Sequence, residues 1–374
     1  MIQKFFGRHI DWVLVLATLP LLGAGLVTMN SFISESYFFN RQLIWVALAF
    51  VAFFGCAFID WRFLRRSGVL VTLFFFSCLS LLLLTVVGNR VHGAQSWLSL
   101  GSFSIQPADF IKLILILMLA KYFSRRHIEI AYVRHILVSG VYALVPFILI
   151  LLQPDFGSAI IIFLIWLGMV MFSGISPRHL LAVFTVSLVS FAAFWFFIFA
   201  PYQKARIVTF IHPLADIRGA GYNSFQSTIA VGSGQILGKG IGYGTQSRLK
   251  FLPEYQTDFI FAAFAEEWGF VGVLLLFILF GLIIWRVILA AMHGATNFET
   301  LFGIGLAIML LSHFTVSVGM NLGLLPVTGL TLPFVSYGGS HLLAEFTGLG
   351  ILMGMRRYSH GFHRGDIKNE FLGI

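Results

Sequence analysis

The sequence predicts an all-α, polytopic integral membrane protein with about ten transmembrane helices, built as a single domain over residues 1–374. Of the 374 residues, 59% are hydrophobic and only 10% are charged, and the mean hydropathy is +0.93. Soluble domains carry about 25% charged residues, so a soluble fold is excluded. Apolar runs of about 17–25 residues recur along the chain, and this length matches the hydrocarbon core of a bilayer.

These apolar runs predict ten helical spans, because a single segment exposed to lipid satisfies its backbone hydrogen bonds only as a helix. The spans are expected at 10–29, 43–59, 68–87, 107–123, 136–152, 157–172, 179–199, 260–285, 299–320 and 340–355. Residues 324–339 are also apolar, but they contain Pro326 and Pro333. Because proline interrupts helices, this stretch is predicted to be re-entrant or interfacial.

The basic residues predict the orientation of the spans. Fifteen of the 24 lie on one side: Lys4, Arg8, Arg62, Arg65, Arg66, Lys121, Arg125, Arg126, Arg134, Arg178, Arg286, Arg356, Arg357, Arg364 and Lys368. Short loops on the other side carry only Arg41 and Arg90. The crowded side is therefore cytoplasmic, with both termini there. One long loop, at about 200–259 between spans seven and eight, is then extracytoplasmic.

The net charge of +9 does not indicate a nucleic-acid partner, because the basic residues form short clusters between apolar runs. Residues 201–257 of the long loop contain six basic residues against Asp216 and Glu254. This excess indicates an anionic partner. Contact of a solvated loop with anionic lipid is an equally ordinary explanation.

An acid and a lysine lie together at the start of the fourth span. Asp109 and Lys112 are three residues apart, which places them on one face of a helix. Ionisable groups inside a span are costly, so the pair is a candidate for substrate binding. The alternative is a helix start at which Asp109 meets the positive end of the dipole and Lys112 extends to the membrane surface. Asp155 lies at a second such helix start. It is expected either to cap the helix in a tight turn or to contact the substrate.

A glycine-rich segment lies in the middle of the long loop. Residues 232–240 read Gly-Ser-Gly-Gln-Ile-Leu-Gly-Lys-Gly, without the spacing of a Walker phosphate loop. Its glycines and Lys239 are candidates for contacting a lipid diphosphate. The alternative is a plain flexible loop.

The densest polar feature directly precedes the eighth span. Residues 252–261 read Leu-Pro-Glu-Tyr-Gln-Thr-Asp-Phe-Ile-Phe. Asp258 lies where a basic aqueous loop meets apolar phenylalanines, and partial desolvation there makes a carboxylate a better general base. The alternative is that Thr257 or Asp258 caps the helix.

Further polar residues surround this position in the sequence. Glu266 and Glu267 lie about 12 Å deeper along the helix and are expected to pair with arginine or backbone groups inside the bundle. Ser336 lies among small residues that open the last span on the same side, where they leave room for a helix or a ligand. The histidines show no zinc spacing, and neither His-Glu-x-x-His nor Gly-x-Ser-x-Gly is present, so a metalloprotease or serine hydrolase is disfavoured.

Together these segments resemble the SEDS family (shape, elongation, division and sporulation). The matching motifs are 93–98 (Gly-Ala-Gln-Ser-Trp-Leu), 106–112 (Gln-Pro-Ala-Asp-Phe-Ile-Lys), 153–157 (Gln-Pro-Asp-Phe-Gly), 221–223, 226–227, 252–254, 257–261 and 332–340 (Leu-Pro-Phe-Val-Ser-Tyr-Gly-Gly-Ser). They follow one another over nearly the whole chain. Within the family, residues 238–240 and 244–246 look more like RodA-type elongation members than FtsW-type division members, and sporulation members are harder to exclude.

The resemblance implies a peptidoglycan glycosyltransferase of the bacterial cytoplasmic (inner) membrane. Such an enzyme polymerises lipid II, the undecaprenyl-diphosphate disaccharide-pentapeptide, into glycan strands at the outer face during cell elongation and rod-shape maintenance. The resemblance also implies a class B penicillin-binding protein as transpeptidase partner, alongside other membrane proteins of the elongation complex.

By motif position, Asp258 corresponds to the family's essential aspartate, and Asp109 and Lys112 match the acid and lysine of the fourth helix. The family usually has Glu at position 109 and a second Gly where this chain has Gln235. Asp258 is expected to accept the proton of the acceptor sugar hydroxyl.

The departing diphosphate needs positive charge, for which the candidates are Lys112, Arg206, Lys239 or a divalent cation such as Mg²⁺ or Mn²⁺ bound at Asp258. Glu254 and Ser336 complete the expected substrate site.

Two other functions explain part of the same pattern. A transporter that flips lipid II also needs intramembrane charges, but no paired halves are evident in the sequence, and the large basic loop is surplus to it. A non-enzymatic scaffold of the wall-synthesis complex leaves Asp258 and Lys112 unexplained.

Overall fold

The computed structural model describes residues 10–31, 36–87, 89–91, 94–100, 103–125, 133–197, 199, 201–212, 219 and 221–359, and every structural statement below concerns these residues. The sequence interpretation also uses residues outside them, namely Lys4, Arg8, Gly93, Arg126, Asp216, Arg364 and Lys368.

The described chain folds mainly as helices. In chain order they are α1 (Trp12–Asn30), α2 (Ser36–Phe58), α3 (Ser67–Val87), α4 (Pro107–Ser124), α5 (Val133–Leu151), α6 (Phe156–Phe172), α7 (Pro177–Phe197), α8 (Pro201–Ile211), α9 (Tyr222–Ser233), α10 (Thr245–Arg248), α11 (Ile260–Met292), α12 (Asn297–Asn321) and α13 (Gly339–Ser359). A 3₁₀ turn, Trp61–Arg65, joins α2 to α3.

Ten of these helices lie at the ten positions predicted for membrane spans, which are α1–α7 and α11–α13. Seven of the ten are long and apolar enough to cross a bilayer, and α6 is a shorter apolar helix of 17 residues. The other two, α4 and α13, carry five of the six side chains of the buried polar cluster described below. The predicted multi-pass helical fold is confirmed.

A small antiparallel sheet lies between α3 and α4. It contains β1 (Asn89–Val91), β2 (Ala94–Leu100) and β3 (Phe103–Ile105), in the order β1-β2-β3. The β2–β3 register pairs Leu98 with Ile105 and Leu100 with Phe103. The sequence analysis predicts helices alone, so this sheet is an addition to the predicted fold.

Helices α4 and α12 form the centre of the bundle. Helix α12 packs on α4, α6 and α11, while α2 lies along α13 and α1 packs on α11. At the start of α13, Gly339 faces the indole of Trp45 so closely that a Cβ there would collide with the ring. Helix α7 has no buried residue, so it lies at the periphery, where an apolar helix meets lipid.

Helix α11 is broken near its start by Gly269, whose φ of +64° and ψ of −166° are not helical. Loop residues 234–240 fill the break. The N–H groups of the two residues after it donate to loop carbonyls (2.9 and 3.1 Å), and the N–H groups of Lys239 and Gly240 donate to helix carbonyls before it (both 3.0 Å). The glycine-rich segment is thus a docked structural element, and the interpretation as a plain flexible loop is wrong.

Candidate functional site

Asp258 lies at the end of an irregular turn, residues 251–259, directly before α11. Phe259 of this turn is buried, whereas Asp258 is half-buried. The N-cap residue of α11 is Phe259, which makes no capping side-chain hydrogen bond of its own. The structure therefore places neither Thr257 nor Asp258 at the N-cap position of α11. The Asp258 carboxylate borders Gly329, where an added Cβ would lie 3.3 Å from Oδ2.

One buried amide fixes the backbone at Asp258 and at the start of α11. Asn321, the last residue of α12, is fully buried. Its Nδ2 donates to the carbonyls of Asp258 (2.9 Å) and Ser317 (2.8 Å), and its Oδ1 accepts from the N–H of Ala262 (3.1 Å). The hydroxyl of Ser227 in α9 donates to the Asn321 carbonyl (2.8 Å). Asn321 thereby ties α9, the Asp258 turn and the start of α11 to the central helix.

Residues 324–338 form a broken segment without helix, as predicted, and the end of this segment holds the Asp258 turn. The Ser336 hydroxyl donates to the Thr257 carbonyl (2.7 Å) and accepts from the N–H of Leu332 (2.8 Å). The N–H of Tyr337 donates to the carbonyl of Gln256 (2.8 Å). Ser336 was expected in the substrate site, and here its hydroxyl positions the turn that carries Asp258.

Asp109 and Lys112 form a buried ion pair, as their spacing predicts, with Lys112 Nζ 3.1 Å from Asp109 Oδ1. Asp109 is 3% exposed and Lys112 only 1%. The N-cap of α4 is Gln106, and it makes no capping side-chain hydrogen bond. A helix does start here, with Asp109 in its first turn, as the alternative proposed. Lys112 is buried and does not extend to the surface, so that part of the alternative is wrong.

The pair belongs to a buried polar cluster contributed by α4, α12 and α13. Its members are Asp109, Lys112, His313, Ser340, His341 and Glu345. The Ser340 hydroxyl donates to Asp109 Oδ2 (2.8 Å), and His341 Nδ1 lies 3.3 Å from Asp109 Oδ1. The carboxylate of Asp109 therefore has three polar partners from two helices.

The cluster extends beyond the pair through two histidines. His313 Nε2 lies 3.3 Å from Lys112 Nζ, and His341 Nε2 lies 3.0 Å from Glu345 Oε1. Glu345 Oε2 accepts from the N–H of Phe334 in the broken segment (3.2 Å). Because a buried charge without a partner is costly, this arrangement stabilises the ionisable groups inside the bundle.

Arg206 of α8 is exposed and extends to the same broken segment. Its Nη1 lies 3.4 Å from the carbonyl of Val327, two residues before Gly329, which borders the Asp258 carboxylate. The fold thus brings the predicted cation Arg206 and the predicted base Asp258 to the same end of the bundle.

Lys239 is held in a different set of contacts. Its Nζ lies 2.7 Å from Glu266 Oε1 and 2.9 Å from the Thr245 hydroxyl. Glu267 accepts from the N–H of Gly242 (2.8 Å). The two glutamates pair as expected, but their partners are a lysine and backbone groups of the long loop, rather than an arginine inside the bundle. The charge of Lys239 is compensated by Glu266.

Asp155 is the N-cap of α6, which confirms its capping role. Its carboxylate accepts from the N–H of Ser158 (3.0 Å) and from the side-chain amide of Gln106 (2.7 Å).

Glu254 lies in the Asp258 turn and is exposed, and its backbone φ is +52°. Its carboxylate accepts from the Thr257 hydroxyl (3.1 Å). Of these two expected substrate contacts, only Glu254 shares the turn of Asp258.

In the part of the chain that the structure describes, no group of three or more His, Cys, Asp or Glu side chains is arranged to hold a metal ion. Mg²⁺ is commonly bound by one or two carboxylates together with substrate phosphates. A divalent ion at Asp258 would therefore need phosphate oxygens and water among its other ligands.

Sequence reasoning missed four residues of this region: His313, Asn321, His341 and Glu345. His313 and Glu345 lie inside predicted spans, and the rule that flags intramembrane ionisable groups also applies to them. Asn321 and His341 lie at span ends, where a polar residue is ordinary. Only the tertiary contacts show their roles.

The comparisons with known proteins agree with this picture. A family model described as cell cycle protein, covering FtsW, RodA and SpoVE, matches residues 10–361. Stage V sporulation protein E of Bacillus subtilis (strain 168) is 36% identical over 362 residues, covering 93% of this chain and 97% of that protein. The peptidoglycan glycosyltransferase MrdB of Escherichia coli (strain K12) is 36% identical over 352 residues, covering 94% of each chain.

Two solved structures share the fold. One comes from a study of the structural coordination of polymerization and crosslinking by a peptidoglycan synthase complex, with a TM-score of 0.81 and 33% identity over 95% of this chain and 100% of that one. The other is the rod shape determining protein RodA of Thermus thermophilus, with a TM-score of 0.71 and 30% identity over 95% of this chain and 99% of that one.

Proposed function

The chain belongs to the SEDS family of FtsW, RodA and SpoVE proteins and is a glycosyltransferase of the bacterial cytoplasmic membrane, and we propose that it polymerises lipid II into glycan strands. The observation that carries this proposal is the position of Asp258. Its carboxylate lies half-buried at the rim of the bundle, and Asn321 and Ser336 fix the turn on either side of it.

The proposed reaction needs one base and one leaving-group cation. The sugar hydroxyl of the acceptor attacks the anomeric carbon of the donor, and the bond from that carbon to the diphosphate oxygen breaks. The polyprenyl diphosphate leaves with the electron pair, and the hydroxyl proton passes to the Asp258 carboxylate. Because the donor is already activated by its diphosphate, no nucleotide is required.

Arg206 is the cation that best fits the leaving diphosphate. It is exposed and contacts the segment that borders Asp258. Lys112 is instead buried in the bundle, and Lys239 lies in the loop docked at the break in α11. A guanidinium binds two phosphate oxygens at once, which suits this role. A divalent ion held by Asp258 and the diphosphate would supply the same charge stabilisation.

We place the protein in cell elongation, with a class B penicillin-binding protein as its transpeptidase partner. The support is the RodA-like sequence of residues 238–246, and a structural match taken from a complex that couples polymerization with crosslinking. The identity to the sporulation protein and to MrdB is the same, 36%, so the elongation role rests on the motifs.

The direct test uses the purified full chain with purified lipid II, alone and with the native organism's class B penicillin-binding protein. We expect glycan strands, in larger amounts with the partner. A flippase predicts translocation of lipid II in proteoliposomes without polymer, and a scaffold predicts neither. A chelator added to the same reaction tests for the divalent ion.

A further inference from the structure

A second polar region lies far from Asp258, at the other end of α4. A cavity of about 470 Å³ opens between α3, α4 and α5, and Lys121, Arg125 and Arg134 line it. Lys121 lies twelve residues beyond Asp109 in α4, or about 18 Å along the helix. We call this space the basic cavity. It lies on the side that the distribution of basic residues predicts to be cytoplasmic.

The basic cavity brings together three cations from two neighbouring helices. No acidic side chain is among its lining residues in the described part of the chain. Lys121 lies in the last turn of α4 and Arg125 is its C-cap residue, positions where the helix dipole favours each cation. Their spacing of four residues nevertheless makes the two like charges repel. Arg134 is the second residue of α5, where the positive end of the helix dipole disfavours a cation. The preference of basic residues for the cytoplasmic side explains on which side of the membrane these three cations lie. It does not explain why they surround one cavity.

The walls of the basic cavity are apolar and held in place. Leu70 and Met118 are among the apolar residues that line it. The Tyr122 hydroxyl lies 2.9 Å from His135 Nδ1 and so joins α4 to α5. The ring of Tyr142 meets Tyr122 edge-on at 5.8 Å. The space therefore combines a cationic rim with an apolar wall.

From this combination we propose that the basic cavity binds the phosphate headgroup of an anionic phospholipid in the leaflet on the same side, which the basic residues predict to be the cytoplasmic one. The phosphate lies at the cationic rim, and an acyl chain runs along the wall. Basic pockets between membrane helices on this side of a bilayer are suited to such headgroups. A soluble phosphate uses only the rim, and leaves the apolar wall without a role. The proposal is independent of the polymerase function.

The test is a lipid titration of the purified, delipidated full chain, followed by native mass spectrometry. Phosphatidylglycerol is compared with phosphatidylcholine of the same acyl chains. The variants are the double Arg125→Gln/Arg134→Gln, the charge-keeping double Arg125→Lys/Arg134→Lys, and Arg178→Gln as a control at an exposed arginine outside the cavity. Size-exclusion and thermal unfolding profiles show that each variant is folded.

We expect the wild type to bind phosphatidylglycerol at least about tenfold more tightly than phosphatidylcholine. The double Gln variant loses this preference, while the double Lys and Arg178→Gln variants keep it. Equal affinity of the wild type for both lipids would overturn the proposal, even if the double variant fails to fold. So would an unchanged preference in the folded double Gln variant.

Two competition arms identify the source of the phosphate. If glycerol phosphate in solution displaces phosphatidylglycerol at similar concentration, the site is one for soluble phosphate and the lipid proposal is wrong. If undecaprenyl diphosphate displaces it preferentially, the occupant is a lipid-linked precursor, and the assignment to a phospholipid is wrong. If neither competitor displaces phosphatidylglycerol, the result supports the proposal.

Discussion

Two carboxylates of this protein occupy contrasting environments. Asp109 is enclosed by Lys112, Ser340 and His341, so its charge is already stabilised by three partners. Asp258 lies half-buried at the rim of the bundle, next to Gly329 of the broken segment. A general base must reach the proton that it abstracts. On the basis of these positions we propose the base role for Asp258 and a positioning role for Asp109.

Removal of Lys112 tests the buried pair. We predict that Lys112→Ala severely reduces polymerisation at normal membrane expression, because it leaves the Asp109 charge buried without its cation, at a cost of about 3–5 kcal/mol. Asp109→Glu is predicted to be tolerated, since it keeps the charge. Polymerisation of lipid II by purified variants, normalised to folded protein, is the measurement.

A double variant separates chemistry from folding at this pair. Asp109→Asn with Lys112→Met removes both charges at similar volume, a change that is often neutral for stability. If the pair positions the site, the folded double variant polymerises poorly. Normal polymerisation by Lys112→Ala or by the double variant would show that the pair only stabilises the fold.

Gln235 stands where a glycine is usual in the family, and the structure shows that its backbone adopts a conformation that is unfavourable for glutamine. Its φ is +49°, the left-handed region, and its side chain is exposed. Glycine adopts this conformation without penalty, so we predict that Gln235→Gly stabilises the protein by about 0.5–1 kcal/mol after its entropic cost. Thermal unfolding in detergent measures this, with Gln235→Ala as a control that should give no gain. A lower melting temperature for Gln235→Gly would contradict the assigned backbone.

At the scale of elements, the break in α11 links the long loop to the bundle. Hydrogen bonds cross it in both directions between residues 234–240 and the helix, and Lys239 reaches Glu266 from the same loop. These contacts hold the long loop against the helix that begins at the Asp258 turn. The loop therefore has a structural role at this point, whatever it binds elsewhere.

The pair Gly269→Ala and Gly281→Ala tests this break within one helix. An added Cβ at Gly269 would collide with the loop backbone, and the residue there must also adopt a positive φ. Gly281 has open space around it. We predict that Gly269→Ala lowers the melting temperature by several degrees or prevents folding. Gly281→Ala should leave it unchanged or slightly raised, because alanine favours helix. Equal effects of the two substitutions would contradict a required break at Gly269.

Hydropathy predicted the positions of α1–α7 and α11–α13, because each coincides with an apolar run of roughly the length that crosses a bilayer. It did not predict local breaks and additions. Helix α2 begins at Ser36 rather than at 43, and α11 continues to Met292 rather than ending at 285. The break at Gly269 and the sheet of β1–β3 depend on tertiary contacts that hydrophobic length does not encode.

At the scale of the whole molecule, the sequence placed the main site residues but not their partners. Spacing alone predicted the Asp109–Lys112 pair, and a polar turn before an apolar span indicated Asp258. The contacts of His341 with Asp109 and of Asn321 with Asp258 join residues more than sixty positions apart. Such pairings follow from the packing of α12 and α13, which a single sequence does not reveal.

The orientation of the bundle is open to a direct labelling test. Tyr243 in the long loop is 68% exposed, and Arg178 at the start of α7 is exposed on the side predicted to be cytoplasmic. In a background without Cys56 and Cys78, Tyr243→Cys should react with an impermeant thiol reagent in intact spheroplasts. Arg178→Cys should react only after lysis. The reverse pattern would show that the predicted orientation is inverted.

The central claim is that Asp258 is the catalytic base, and Asp258→Asn tests it most directly. Asparagine keeps the size of the side chain but removes the proton acceptor. Purified Asp258→Asn protein, free of other polymerases, should polymerise lipid II at least ~10²–10⁴-fold more slowly than wild type. Asp60→Asn, at a partly exposed acid far away in the sequence that pairs with Arg62, should polymerise normally. Partial rescue of Asp258→Asn at high Mg²⁺ or Mn²⁺ would assign Asp258 to a metal instead, and full-length glycan at the wild-type rate would contradict both roles.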